Sequence, residues 1–253
     1  MIQVHVLASG SKGNSTYVQI GDTKLLVDAG ISARRIKASL ANIGVAIEEL
    51  NGILITHEHR DHINGLPTLT KKYKLPIYTR PDTFRSMVCR SEIVDECCNQ
   101  IGDKLGIGGL KIESFNISHD AADPVGFCIY GKDVKCTVAT DLGFVTSSVQ
   151  KALDNSDVLV LEANHDVDLV KNGMYPQYLK QRILGNRGHL SNADAAWALV
   201  RMEKQKHMKV FLAHLSAENN RPSIARETVN KIVREQGYEL DIRLASQSQM
   251  VGL

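Results

Sequence analysis

Titratable residues crowd together at positions 57 to 62, directly after the apolar run GILIT. The stretch reads HEHRDH, and His57, His59, Asp61 and His62 are spaced so that they can act in pairs. Groups packed this tightly repel one another or lose hydration unless something binds them. The donors are nitrogen and oxygen without sulfur, which suits Zn²⁺, Mn²⁺ or Fe²⁺ and disfavours a structural cysteine-bound zinc. We therefore predict that this stretch binds metal ions.

Similar polar residues follow apolar runs elsewhere in the chain. They are Asp28 after KLLV, His119 after SFNIS, Asp141 after TVAT, Glu162 at the end of VLVLE and His214 at the end of VFLAH. A single residue of this kind is usually structural, but the same placement recurs on six apolar runs. Open α/β folds place their ligand sites at the carboxyl ends of strands. We expect these side chains to meet at one edge of the fold.

The elements that must position these residues alternate between strands and helices. Strands are predicted at 4–7, 16–20, 24–28, 52–55, 111–116, 127–130, 134–140, 158–162 and 210–214. Helical patterns cover 32–44, 191–207 and 223–237, with Ser32, Ser191 and Ser223 as N-caps. No linker or internal repeat interrupts the pattern, so we predict a single mixed α/β domain over 1–253.

Composition favours an intracellular enzyme over a membrane protein or a secreted disulfide scaffold. The net charge is +2, so affinity for an anion must come from local patches. No apolar run approaches the roughly 20 residues that span a bilayer, and the first residues do not resemble a signal peptide. The five cysteines are odd in number and lack paired metal spacing. We expect a cytoplasmic protein with reduced thiols and no membrane partner, and the oligomeric state stays open.

HEHRDH behind an apolar strand resembles the signature of metallo-β-lactamase-fold hydrolases, and the resemblance runs the length of the chain. It implies an αββα four-layer sandwich that holds two divalent transition metal ions, Zn or Mn with Fe as a further option, at one edge of its sheets. Asp28 matches an early aspartate of the family. The implied ligands are His57, His59 and His119 for one ion, Asp61, His62 and His214 for the other, and Asp141 as the bridge.

Three further motifs, LASGSKGN, LEANHD and AHLSAENN, are similar to those of the YycJ-type (WalJ/VicX) subgroup. That subgroup is associated with 5′→3′ exonuclease activity on DNA. The stretch between Asp141 and His214 is too short for the β-CASP insertion of related nucleases. Similarity to tRNA-3′-processing enzymes implies that Glu162 orients His189, which would act as general acid. Asp61 could also serve as a general base toward the attacking water.

Basic residues near His189 favour a nucleic-acid substrate. Residues 170–193 contain no Asp or Glu, and Lys180, Arg182 and Arg187 of the loop predicted at 171–187 are candidate phosphate contacts. The glycine-rich stretch 9–15 could form a phosphate-binding nest that includes Ser11 and Asn14, or a simple hairpin turn. His165 is a further candidate substrate contact. DNA is favoured over RNA as the partner.

Other functions share parts of this pattern. A glyoxalase II-like thioesterase would share HEHRDH but would not require the GHLSN and HLSAENN motifs or a basic segment. An RNA-processing nuclease would require both, so it stays an alternative. A β-lactamase is disfavoured because no export signal is evident and no cysteine lies near the final metal position. A non-catalytic relative would typically have lost ligands, whereas all seven positions are filled here.

Overall fold

The computed structural model describes residues 2–253. In chain order the strands are β1 Ile2–Ala8, β2 Ser15–Ile20, β3 Thr23–Val27, β4 Gly52–Leu54, β5 Ile77–Thr79, β6 Cys98–Gln100, β7 Lys104–Ile107, β8 Leu110–Asn116, β9 Val125–Tyr130, β10 Lys135–Ala139, β11 Val158–Glu162, β12 Lys209–Ala213, β13 Asp241–Leu244 and β14 Val251–Gly252. The α-helices are α1 Ala33–Ala41, α2 Arg60–Ile63, α3 Leu66–Tyr73, α4 Pro81–Ser86, α5 Ser147–Leu153, α6 Val167–Asn172, α7 Gln177–Leu184, α8 Asn192–Arg201 and α9 Pro222–Glu235. Short 3₁₀ helices lie at Ile47–Glu49, Arg90–Glu92 and Asp95–Cys97.

The two seven-stranded sheets have the same arrangement of parallel and antiparallel strands. The first has the order β14-β1-β2-β3-β4-β5-β6 and the second the order β13-β12-β11-β10-β9-β8-β7. Strands β3 to β6 run parallel in the first sheet, and β10 to β13 run parallel in the second. The remaining pairs in each sheet are antiparallel. In each sheet, the carboxyl ends of the parallel strands therefore lie together, at an edge that the two sheets share.

Three hydrophobic layers separate the sheets and the helices. One layer packs α1 and α3 on the outer face of the first sheet, with Ile36, Leu40 and Leu69 at its centre. The second layer lies between the sheets and includes Phe127 and Phe211. The third packs α5, α8 and α9 against the second sheet. The chain is thus an αββα sandwich, as predicted.

The side chains of the central strands point alternately to the two covered faces of the sheet, which explains why the sequences of these strands are continuous apolar runs. In β11, Val158 and Val160 point into the layer between the sheets, and Leu159 and Leu161 point toward the helices. Successive side chains of a strand face opposite sides, so a strand covered on both faces needs apolar residues throughout. Glu162 at the end of this strand is fully buried and interrupts the apolar pattern.

Two of the three predicted N-caps are confirmed. The hydroxyl of Ser32 accepts a hydrogen bond from the Arg35 backbone N–H, and that of Ser191 accepts one from Asp194. The prediction for Ser223 is wrong, because α9 begins at Pro222 and its N-cap residue is Arg221. Proline suits the first helical turn, since it lacks the N–H that would have no partner there. Helix α8 also ends at Arg201, earlier than its pattern suggested.

The residues that follow three parallel strands adopt a left-handed backbone conformation. The φ angle is 61° at Asp28, 62° at Asp141 and 54° at His214. Aspartate and histidine tolerate this conformation better than branched residues do. The turn stops each strand and directs the polar side chain across the sheet edge. All three residues are buried there.

Candidate metal centre

The HEHRDH stretch crosses from a strand end into a short helix. Strand β4 ends at Leu54, His59 is the N-cap residue of α2, and α2 begins at Arg60. His57 and His59 therefore lie on extended backbone, whereas Asp61 and His62 lie on the first turn of a helix. This change of backbone separates the four side chains into two pairs.

The first group consists of three histidines. His57 Nε2 lies 3.1 Å from His59 Nδ1, and His119 Nε2 lies 3.3 Å from the same nitrogen. Ligand nitrogens about 3.3 Å apart are what tetrahedral Zn–N bonds of about 2.0–2.1 Å produce. Burial lowers the pKa of His57 well below its ordinary value, which keeps the imidazole neutral. Neutral imidazole is the form that binds a metal ion.

The second group joins the helical pair to the end of β12. Asp61 Oδ2 lies 3.4 Å from His62 Nε2 and 3.7 Å from His214 Nε2. Asp141 lies between the two groups, with Oδ2 3.4 Å from His62 Nε2 and Oδ1 3.8 Å from His119 Nε2. The seven residues predicted as ligands are therefore brought together at one edge of the sandwich.

Buried atoms without partners test whether this set fits metal ions. Asp141 Oδ2 and His214 Nε2 are both buried, and neither has a hydrogen-bond partner among the described residues. Leaving such atoms without a partner costs about 1–3 kcal/mol each. Both atoms point into the cluster of nitrogen and oxygen donors just described. The residues fit divalent metal ions.

Hydrogen bonds behind the ligands orient their rings. His62 Nδ1 donates to Asp28 Oδ2 at 2.7 Å, and His57 Nδ1 lies 3.0 Å from Thr56 Oγ1. Thr56 in turn donates to Asp28 Oδ2 at 2.9 Å. Such bonds fix which ring nitrogen is free for a metal ion. The role of Thr56 was missed from the sequence, because a threonine after an apolar run carries no specific signal.

Glu162 connects His189 to the second ligand group. Its Oε1 accepts from His189 Nδ1 at 2.9 Å and from His214 Nδ1 at 2.8 Å. Burial alone would raise the pKa of Glu162, but the two histidines lower it below its ordinary value. The His189 side chain is 22% exposed, whereas Glu162 is fully buried. The His189 ring is therefore partly open to solvent, and Glu162 holds it from the buried side.

Asn14 belongs to the ligand cluster rather than to an open surface. Its Nδ2 lies 3.2 Å from Asp61 Oδ2 and 3.1 Å from His62 Nε2, and its Oδ1 accepts from the Gly10 N–H. Ser11, in the same glycine-rich stretch, is exposed. His165 is buried, its Nδ1 has no partner among the described residues, and burial lowers the pKa of its imidazole.

The basic residues predicted as phosphate contacts lie on more regular structure than expected. The predicted loop is largely helical, because α6 and α7 occupy most of it. Arg182 Nε donates to Asp120 Oδ2 at 2.6 Å, and Arg187 Nε donates to the His119 carbonyl at 3.3 Å. Lys180 Nζ donates to the Lys171 carbonyl at 2.7 Å. Two of the three cations are thus attached to the segment that carries His119.

Other polar residues of the site escaped sequence reasoning. Glu58 Oε1 accepts from the Ala122 N–H at 2.8 Å, which ties the metal-binding loop to the residues after His119. Asn192 and Asn220 exchange hydrogen bonds through their side-chain amides. Their neighbour Asn164 donates to the His214 carbonyl at 2.7 Å. The motifs GHLSN and HLSAENN contain Asn192 and Asn220, but their spacing gave no indication that the two asparagines touch.

No helix within residues 2–253 combines the length and the apolar character needed to cross a bilayer.

Comparisons with known proteins agree with this geometry. Residues 23–214 match the family model described as "Beta-lactamase superfamily domain". Exodeoxyribonuclease YycJ of Bacillus anthracis is 38% identical over 236 residues, which cover 92% of this chain and 89% of that protein. Exodeoxyribonuclease WalJ of Streptococcus pneumoniae is 40% identical over 246 residues, which cover 94% and 91%.

A solved structure shows the same fold at low sequence identity. The metallo-beta-lactamase fold protein YhfI of Bacillus subtilis superposes with a TM-score of 0.71 at 17% identity, over 100% of this chain and 99% of that one. The αββα sandwich is therefore a feature of the wider fold. The chain belongs to the beta-lactamase superfamily and, within it, to the family of YycJ and WalJ.

Proposed function

We propose that this protein is a metal-dependent exonuclease that hydrolyses phosphodiester bonds of DNA from the 5′ end. One observation carries the proposal: Glu162 Oε1 accepts hydrogen bonds from both His189 and His214. This carboxylate places a partly exposed imidazole directly beside the ligand set. The names of the relatives, which describe exodeoxyribonucleases, support DNA as the substrate.

Two divalent transition metal ions fit the donor set. His57, His59 and His119 would hold one ion, Asp61, His62 and His214 the other, and Asp141 would bridge them. When bound, such ions neutralise phosphate oxygens and lower the pKa of water to about 7. The nitrogen and oxygen donors are compatible with Zn²⁺, Mn²⁺ or Fe²⁺.

The chain's own residues supply the proton transfers and the orientation. Asp61 Oδ2 is held by Asn14 Nδ2 and faces the second ligand group, where it can accept a proton from the attacking water. The Nδ1–H of His189 donates a hydrogen bond to Glu162, so Nε2 is the nitrogen left to act on the substrate. When protonated, Nε2 can deliver a proton to the leaving 3′-oxygen. The hydrogen bond to Glu162 fixes the orientation of that ring.

The alternatives make different use of the same site. A thioesterase releases a thiolate, which leaves without needing a proton donor. The His189–Glu162 pair would therefore have no catalytic role in that reaction. An RNA-processing nuclease would use every residue named here. The discriminating property is then the sugar of the substrate, and the experiment must compare the two nucleic acids directly.

The test uses protein loaded with Mn²⁺ and end-labelled single- and double-stranded DNA and RNA, each with a 5′-phosphate or a 5′-hydroxyl. We expect mononucleotides to be released from the labelled 5′ end of DNA faster than from RNA. Metal-depleted protein is the control and should release none. Hydrolysis of a thioester without any DNA cleavage would contradict the proposal, and faster release from RNA would reassign the substrate.

A further inference from the structure

A cavity of about 520 Å³ opens beside the metal centre, where β12 ends. Three segments form its walls: the glycine-rich stretch around Ser11, the chain from Leu215 to Pro222, and the chain from Leu244 to Gln247. The first two walls touch at the metal centre, because Ser9 Oγ accepts a 2.7 Å hydrogen bond from the His214 N–H. The cavity therefore borders the segment that carries His214.

The lining of this cavity combines an apolar floor with a cationic rim. Leu215, Leu244 and Ala245 contribute apolar surface, and hydroxyl and amide groups surround them. Lys12 and Arg221 supply two positive charges, and both residues are exposed. No acidic residue is among the described residues that line the cavity. The cavity thus suits a ligand with one flat apolar part and one anionic part.

The two positive charges are available to a ligand. Arg221 Nη1 donates to the backbone carbonyl of Asn220 at 2.8 Å, which leaves its charge unneutralised. Lys12 forms no ion pair with any described residue. Helix α9 begins at Pro222 on the same wall, and its first turn carries no acidic side chain. The positive end of the helix dipole therefore adds to the attraction for an anion.

We propose that this cavity binds one nucleotide of the DNA strand, next to the phosphodiester that is cleaved. The base would rest on the apolar floor, and its phosphate would lie between Lys12 and Arg221. The volume falls within the about 300–1,000 Å³ of small-molecule sites, and a nucleobase has the flat apolar faces that the floor requires. This inference rests on the proposed function, since it names a subsite for the same substrate.

Variants of the two cations test the cavity in the metal-loaded protein. Arg221→Gln combined with Lys12→Gln should raise KM for DNA about tenfold and change kcat by less than about twofold, since only phosphate binding is lost. The matched control is Lys231→Gln, which removes one charge from an exposed position on α9. Ala217→Trp should raise KM in the same way by filling the cavity from an exposed position. Thermal melting checks that each variant is folded.

The phosphate could be the 5′-terminal one or one inside the strand, and two substrates separate these sources. If it is terminal, wild-type protein prefers 5′-phosphorylated DNA over 5′-hydroxyl DNA, and the double variant loses that preference. If it is internal, the double variant raises KM equally for both. An unchanged KM in both the double variant and Ala217→Trp overturns the subsite, while DNA cleavage by wild-type protein keeps the proposed function intact.

A direct titration distinguishes failure of the subsite from failure of the proposed function. Thymidine 5′-monophosphate should bind the metal-loaded protein more tightly than inorganic phosphate or thymidine alone. The double variant should weaken this binding about tenfold, and Lys231→Gln should not. This result without any DNA cleavage would refute the exonuclease and leave the nucleotide site standing. Equal binding by the double variant and the control would refute the site.

Discussion

Asn192 and Asn220 hold one another through two opposed amide hydrogen bonds of 3.0 and 2.9 Å. Asn220 also donates to the carbonyls of Ala163 and Asn164, just beyond the strand that ends in Glu162. The pair therefore joins the segments that follow His189, Glu162 and His214. Both asparagines are buried. We infer that this pair fixes the distance between His189, the proposed acid, and the predicted metal ligands.

Asn220→Ala should therefore lower kcat for DNA by roughly tenfold, because the His189 and His214 segments lose a shared anchor. Unfolding free energy should fall by about 1–3 kcal/mol, since the Asn192 amide is left buried without its partner. The measurement combines steady-state kinetics with denaturant melts. Asn230→Ala on α9, whose side chain forms no hydrogen bond with the described residues, is the control and should change neither value. A double variant with Asn192→Ala that is destabilised by the full sum of the single effects would show that the amides do not act as a pair.

Metal content should be two transition metal ions per chain after loading and dialysis. Asp141→Ala should lose more metal than any other single ligand variant, because Asp141 lies between both ligand groups. Metal binding should also raise the melting temperature, as any ligand of the folded state does. Elemental analysis and thermal melts with and without a chelator measure these effects. One ion or none in carefully loaded protein would contradict the two-ion assignment.

His189→Ala should slow DNA hydrolysis by roughly 10²–10⁴-fold, the usual effect of removing a positioned acid. The same variant should hydrolyse a p-nitrophenyl phosphodiester almost normally, because that leaving group needs no proton. Its metal content should match that of the wild type. Loss of an ion from this variant would make His189 a ligand, and the acid would have to be sought elsewhere.

Glu162→Gln should affect both proton transfer and metal binding, because the same oxygen accepts from His189 and His214. We expect a milder loss of DNA cleavage than in His189→Ala, together with a roughly 10–100-fold weaker affinity for the second ion. Chelator competition on the purified variant measures the affinity. Unchanged metal affinity would mean that the bond to His214 has no role in ligand orientation.

Lys180 and Arg182, two basic residues on α7, should not behave alike. Lys180→Gln should weaken DNA binding and reduce the salt dependence of log K by about 0.7 for single strands, the value for one lost phosphate contact. Arg182→Gln should in addition impair catalysis, because it frees Asp120 beside His119. Binding isotherms across a salt series, paired with kinetics on a small phosphodiester, separate the two effects. Equal losses in both variants would make the whole segment structural.

Much of the fold could be predicted because the central strands are buried on both faces. The strand ending at Glu162 was located to the residue, and the αββα architecture followed from the resemblance. Strands β5, β6, β7, β13 and β14 were missed. They are short, and β6, β7 and β13 are partly exposed, so their residues show neither an apolar run nor a clean alternation. Their existence depends on pairing with neighbours that a sequence does not reveal.

The candidate site also contains residues that could be predicted from the sequence and residues that could not. All seven residues that the family resemblance implied as ligands converge. From the residues alone, only the spacing within HEHRDH carried a metal-binding signal. The residues that hold the ligands could not be found, since Thr56, Asn192 and Asn220 act through tertiary contacts. Asn14 was predicted as a substrate contact, yet it bonds to Asp61 and His62. Its role as a substrate contact stays a prediction. Its contacts with Asp61 and His62 add a second role, that of orienting these two side chains.

The left-handed backbone at Asp28, Asp141 and His214 has a consequence for how this protein could evolve or be engineered. Each of these residues costs of order 1–3 kcal/mol in backbone strain, and glycine would remove that cost. Glycine at these positions would relieve the backbone strain, but it would also remove side chains that bind or orient the metal ions, and with them the stabilisation that bound metal provides. Backbone strain and metal binding are therefore opposed at three defined points of the chain. A thermostable catalyst would have to gain its stability elsewhere, for example in the exposed edge strands.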